Sequence, residues 1–145
     1  MRFIGIDPGK SGSLAYVSNG HADYSPLIGK MSEQDIWQLL AEWEQDGAVA
    51  VVEKVSSSPQ MGVVSAFTFG RGYGILLACL TAARIPFTEV TPKKWQGSLG
   101  CLTGGDKNVS KRKAQQLFPT LKITHGNADA LLIATFCKRH AADLF

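Results

Sequence analysis

Cysteine is scarce in this chain: three of its 145 residues, Cys79, Cys101 and Cys137. An odd number at such wide spacing fits neither a disulfide framework nor a zinc site, so reduced thiols in a cytoplasmic setting are expected. No apolar run approaches the roughly 20 residues needed to cross a bilayer, and Asp7 breaks the first one before it could serve as a signal-peptide core. A soluble protein without a membrane partner is the expectation. Internal repeats, low-complexity tracts and long linkers are also missing, so residues 1–145 are expected to form a single domain. Charge is sparse too, with 19% charged residues and a net charge of +3 that defines no partner by itself. Its distribution is more informative. Residues 1–90 carry six Lys/Arg and nine Asp/Glu, whereas residues 91–145 carry nine and three, which gives −3 and +6. Positive potential gathered in the C-terminal third points to a polyanionic partner.

What is present reads as alternating elements. Residues 2–7 and 13–17 predict two strands around a Pro8–Gly12 turn, and Asn19-Gly20 predicts a tight hairpin into a third strand over 21–25. Ser32 caps a helix over 33–45, with Ile36, Leu39, Leu40 and Trp43 on one stripe. The β-branched run 48–53 predicts a strand buried on both faces, ending in Glu53. A serine-rich loop leads to a long helix over 63–83 and a strand over 86–90. A polar, glycine-rich connection through Gly104-Gly105 follows, then a basic helix over 108–118 and a last helix over 127–139. A meander followed by alternating strands and helices implies an α/β fold, with a five-stranded mixed sheet flanked by helices on both faces.

Asp7 and Glu53 each end an apolar strand, at the edge where ligands collect in open α/β sheets. A third acid, Asp129, sits between Ala128 and Ala130 near the start of the last helix, where small neighbours permit close approach to the sheet. His125 lies four residues earlier and shares its face if the helix begins early enough. Three converging carboxylates repel one another, and hard divalent ions, Mg²⁺ or Mn²⁺, are the natural compensation. Two such ions could activate a water and stabilise a leaving oxygen in phosphodiester hydrolysis.

Phe3-Ile-Gly-Ile-Asp-Pro-Gly9, Val51-Val-Glu53 and Ala128-Asp-Ala-Leu-Leu-Ile-Ala134 together resemble the three signature segments of RuvC-like Holliday junction resolvases, including phage-type members of the ribonuclease H-like superfamily. Gly70-Arg-Gly-Tyr-Gly74 and Val90-Thr-Pro-Lys-Lys-Trp95 extend the resemblance over nearly the whole chain. It implies a homodimeric endonuclease with two Mg²⁺ per site, Mn²⁺ substituting, that cleaves four-way and other branched DNA. Such a protein works in a bacterial or phage-infected cytoplasm. By position, Asp7, Glu53 and Asp129 would be catalytic metal ligands. The resemblance also calls for a fourth ligand, an Asp or His three residues before the last Asp, and Gly126 stands there instead. Either His125, one residue further back, supplies that function, which is the expectation, or the site works with three carboxylates.

Lys107, Lys111, Arg112 and Lys113 on the basic helix, with Lys93 and Lys94 after the last strand, are candidates for phosphate contact. Arg71, between two glycines, is another. Phe69 and Tyr73, ahead of Phe67, are candidates to stack on bases at a junction centre, and Trp37, Trp43 and Trp95 read as packing residues. Two other functions fit parts of the pattern. A RuvC-like nuclease acting on structured RNA precursors would share the acids. The turn Asp7–Gly12 also resembles the phosphate-binding turn of actin-like ATP-binding proteins, which close two such domains around a nucleotide.

Overall fold

Alternation along one strand decides how the layers stack. In the computed structural model, which describes all 145 residues, β4 spans Ala48–Glu53 and its first five residues are buried. Ala48, Ala50 and Val52 turn to one side of the sheet and Val49 and Val51 to the other. Side chains alternate along a strand, so Glu53 follows the odd-numbered set. β4 lies at the sheet's interior, between β1 (Arg2–Ile6) and β5 (Phe87–Val90), and both pairings are parallel. On the far side of β1 come β2 (Leu14–Ser18) and β3 (His21–Tyr24), both antiparallel, giving the order β3-β2-β1-β4-β5. The Asn19-Gly20 hairpin joins β2 to β3 as expected, with Gly20 at φ +76° supplying the left-handed conformation.

Helix α1 (Glu33–Glu44) and helix α2 (Val63–Ala82) cover one face, where Ile4, Ile6, Leu14, Ala50 and Val52 meet Ile36, Leu40, Trp43, Leu76 and Leu80. Helices α3 (Pro92–Ser98), α4 (Lys107–Leu117) and α5 (His125–Leu144) build the other face. The expected five-stranded mixed sheet with helices on both faces is therefore observed. Burial is strongest on α5, where Ala130 to Ala134 are all fully buried against β1, β2 and β4. That contact depends on Gly5. A Cβ there would stand 2.2 Å from the Ala134 backbone nitrogen and 2.3 Å from the Ala130 carbonyl oxygen.

Four sequence expectations need correction. The connection after Thr91-Pro92 contains α3, because Thr91 caps its N-terminus and Pro92 occupies the first turn. The last helix begins at His125, two residues early, and runs on to Leu144. Asn127 is its third residue: its side chain accepts from the Thr124 N–H while Thr124 accepts from the Asn127 N–H, a reciprocal cap. Trp37 is 43% exposed and packs no core, unlike Trp43 and Trp95. Finally, α2 is, at 20 residues, long and apolar enough to cross a bilayer by length and composition, although Arg71 and its glycines break up the apolar letters. Its inner side carries Leu76, Cys79 and Leu80 into the core, while Val63, Val64 and Phe67 are exposed. All three cysteines are buried and unpaired, as expected.

Candidate active site

Register brings the first two acids together. β1 and β4 run parallel with Ile6 opposite Val52, so the next residues, Asp7 and Glu53, lie side by side at the same end of the sheet. Both belong to the odd-numbered set that faces α5. The Asp7 N–H donates to the Ser13 carbonyl, and Gly12 lies so close behind that a Cβ would be 2.0 Å from the Asp7 carbonyl oxygen. The turn therefore fixes the backbone of Asp7. Helix α5 delivers Asp129 in its second turn. Packing against Gly5 sets the helix height, and the Ser13 hydroxyl donates to the Gly126 carbonyl at 2.9 Å, tying the helix start to β2.

The charges of Asp129 and Glu53 both act on Asp7, and that of Asp129 also acts on Glu53. Burial and the charges of Asp129 and Glu53 push the Asp7 carboxyl up to about 8 from its ordinary 3.8, with Lys107 opposing. Glu53 is also raised, by burial first, while a hydrogen bond from Trp95 and the charge of Lys107 favour its ionised form and Asp129 disfavours it. Asp129 is raised by burial and eased by Ser110, Lys107 and His125. The buried Ser110 hydroxyl lies beside this carboxylate, though it donates to the Lys107 carbonyl at 3.1 Å, and one hydroxyl proton cannot serve both. Oδ1 of Asp129 is left buried without any hydrogen-bond partner.

A buried acceptor without a donor, inside a cluster too rich in negative charge, suits a hard cation. No three of the Asp, Glu, His and Cys side chains stand close enough together to hold a metal ion as they are placed. The donors are carboxylates with one exposed imidazole, His125, which stands first on α5 and close enough to influence Asp129. At Gly126 itself, a Cβ would lie 2.5 Å from Leu27 Cδ2, so a side chain there would have to displace Leu27. These residues fit divalent metal.

The other candidates distribute unevenly. Lys107, at the start of α4, influences all three acids, so it belongs to the cluster as well as to the basic helix. Lys111, Arg112 and Lys113 continue along α4, and Lys93 and Lys94 are exposed on α3. Arg71 is exposed on α2, in a weak ion pair with Glu33 at 3.7 Å. Tyr73 is only partly exposed, with its hydroxyl donating to Glu89 on β5, and the half-buried Phe69 leans over Gly9 beside the Asp7 turn. Phe67, at 72% exposure, is the freest aromatic side chain of that helix. Sequence reasoning missed the neighbourhood of Lys107 and the Trp95–Glu53 hydrogen bond. The Thr91-Pro92 helix start was the signal available for the second.

An α/β sheet of order β3-β2-β1-β4-β5 with acids at the ends of β1 and β4 and on the last helix defines a ribonuclease H-like fold. Within that class the chain has the fold of RuvC. A Thermus thermophilus RuvC in complex with Holliday junction substrate superposes with a TM-score of 0.67 and 19% identity, over 99% of this chain and 96% of that one. A second Thermus thermophilus RuvC structure gives 0.65 and 19% over the same shares. No protein-family model and no curated protein matches the chain by sequence.

Proposed function

We propose that this protein is a Mg²⁺-dependent endonuclease that cleaves four-way DNA junctions, and other branched DNA, by phosphodiester hydrolysis. What supports this reading is the buried, unpartnered Oδ1 of Asp129, whose charge acts on both Asp7 and Glu53 at adjacent strand ends, on the fold of a protein solved with a Holliday junction substrate. Asp7, Glu53 and Asp129 would hold two Mg²⁺ ions, or Mn²⁺ in their place, with His125 as the fourth ligand. Bound there, the ions supply charge neutralisation, water activation and support for the departing oxygen. The chain's own part is to keep three acids ionisable in one place and to bring a polyanion to them. Lys107 holds positive charge beside the acids. The remaining cations of α3 and α4, with Arg71, grip phosphates further out. Phe69 and Tyr73 border the groove that runs from the Asp7 turn along α2, where an unpaired base could stack.

The test is cleavage of a synthetic four-way junction beside linear duplex, flap and RNA controls, with and without Mg²⁺. Metal-dependent cleavage of the junction alone, or of the junction and flap, supports the reading. Preferential cleavage of RNA, or none at all, overturns it. Removing charge with Lys111→Ala and Lys113→Ala together should weaken junction binding and reduce the slope of log affinity against log salt by about 2. An equal slope in the double variant would take both lysines off the DNA surface.

The working unit proposed is a homodimer joined through α2. Gly70, Gly74, Ala78 and Ala82 recur every fourth residue on its exposed side, continuing the exposed Val63 and Phe67. Within one chain nothing requires these glycines, because a Cβ at Gly70, Gly72 or Gly74 meets no atom within 4 Å. Each glycine lowers helix stability by about 1 kcal/mol relative to alanine, which close approach of a second helix would explain. Gly74→Leu should leave the fold intact while converting a dimer to a monomer in sedimentation. A variant that sediments like the parent would place the interface elsewhere. The buried, unpaired thiols fit a reducing cytoplasm, bacterial or phage-infected.

A further inference from the structure

Among the three tryptophans, only Trp95 joins full burial to a charged partner. It is 0% exposed, on α3, amid Val49, Val51, Val90, Leu99 and Leu132. Apolar packing alone would be served by leucine or phenylalanine. What the indole adds is one N–H, and its Nε1 donates to Glu53 Oε2 at 2.8 Å. A buried indole N–H must find an acceptor, and here the acceptor is a side chain of the acid cluster instead of the backbone.

The surrounding chain keeps that donor in place. Glu53 pairs with Val90 across β4 and β5, and the Lys54 N–H donates to the Val90 carbonyl at 2.7 Å. One residue later Thr91 caps α3, accepting from the Lys94 N–H at 3.3 Å, with Pro92 at the helix start. The segment therefore leaves β5 beside Glu53 and turns at once into the helix that carries Trp95. The Leu99 N–H donates to the Trp95 carbonyl at 3.1 Å, and Leu99 and Cys101 are themselves buried, closing the helix's far end. Rigid backbone on both sides fixes the indole, and the indole fixes the carboxylate plane.

We propose that Trp95 is a positioning residue, whose buried indole N–H occupies one oxygen of Glu53 and holds the carboxylate in the orientation that receives metal. This rests on the nuclease reading above. Hydrogen-bond partners that hold ligating groups in place change metal affinity by about 10- to 100-fold when lost. A direct part in chemistry is not required, since Trp95 acts through Glu53 and touches no reacting atom.

The experiment replaces Trp95 with benzothienylalanine, which keeps the bicyclic shape and lacks the N–H, and separately makes Trp95→Phe. Two readouts are taken on the full-length protein: the Mn²⁺-induced rise in melting temperature, with no substrate present, and the Mg²⁺ concentration for half-maximal junction cleavage. Junction binding in EDTA serves as the control. Expected for the isostere are a melting temperature in EDTA like the parent's, unchanged binding, a smaller Mn²⁺ shift, and a half-saturating Mg²⁺ raised at least about 10-fold. Parent-like metal readouts in the isostere overturn the proposal, even if Trp95→Phe is impaired, because packing then accounts for the residue. A parent protein with neither Mn²⁺ stabilisation nor cleavage would sink the nuclease reading itself, and this proposal with it.

Discussion

Asp7→Asn is expected to lower junction cleavage by about 1,000-fold or more while junction binding stays within about twofold. The substitution removes one metal-holding carboxylate and leaves the lysines of α4 untouched. It also has an effect opposite to the usual penalty of an active-site change. In the folded protein the Asp7 carboxyl titrates near 8, against an ordinary value of 3.8, because burial and two neighbouring acids disfavour its charge. An acid shifted upward binds its proton more tightly folded than unfolded. Without metal, its stabilising effect is therefore whole below about pH 4 and is lost progressively as pH rises to about 8. Four units at about 1.4 kcal/mol each set a ceiling near 6 kcal/mol, and partial solvent access brings the expected loss to about 2 kcal/mol. Asparagine carries no such charge. In EDTA the variant should be more stable than the parent at pH 8 and not at pH 4, as read from urea midpoints. Metal should reverse the ranking, since only the parent gains from it. Parent-like cleavage by the variant would remove Asp7 from the site, and identical pH profiles would show that its carboxyl is not under strain.

Gly5→Ala should destabilise the protein by about 4 kcal/mol or more, at the diagnostic end of single substitutions. The added methyl would meet three backbone atoms of α5, at 2.2, 2.3 and 2.8 Å, and backbone cannot swing aside as a side-chain tip does. Relief requires α5 to lift from β1. Lifting α5 carries Asp129 away from Asp7, so whatever fraction still folds should also need more Mg²⁺ for cleavage. Denaturant midpoints and metal titrations check the two effects separately. A variant within 1 kcal/mol of the parent, taken as about the ordinary spread for single changes, would show that the helix does not sit as close as described.

Much of this was legible in the sequence where local rules suffice. The β-branched run ending in Glu53, the strand ending in Asp7 and the small residues around Asp129 all announced their places. What a linear reading lacks is register. That Ile6 pairs with Val52, aligning the two acids, depends on how two strands far apart in the chain meet. A helix starting at Asn127 puts Asp129 in its first turn, whereas the reciprocal Thr124–Asn127 cap sets the start at His125. Treating the 92–98 segment as loop hid Trp95's helix, although threonine followed by proline is a start signal. Lys107 was read only as part of a basic run; its closeness to all three acids comes from α4 packing on α5. The open side of α2 was missed because apolar letters carry no record of which ones find neighbours within the chain.

Burial on the two longest helices, α2 and α5, is unequal, and that inequality orders how the single chain breathes. Spontaneous opening events begin where few interior contacts must be broken, which here is the first half of α2, with Val63 at 87% and Val64 at 80% exposure. The strands and helix that carry Asp7, Glu53 and Asp129 should form the slowest-exchanging unit, since Ile4, Ile6, Val51, Val52 and Leu131 to Ala134 are fully buried. Transient fraying of the outer helix therefore leaves the acids in register, and the part of the protein that adapts its shape is kept apart from the part that must not.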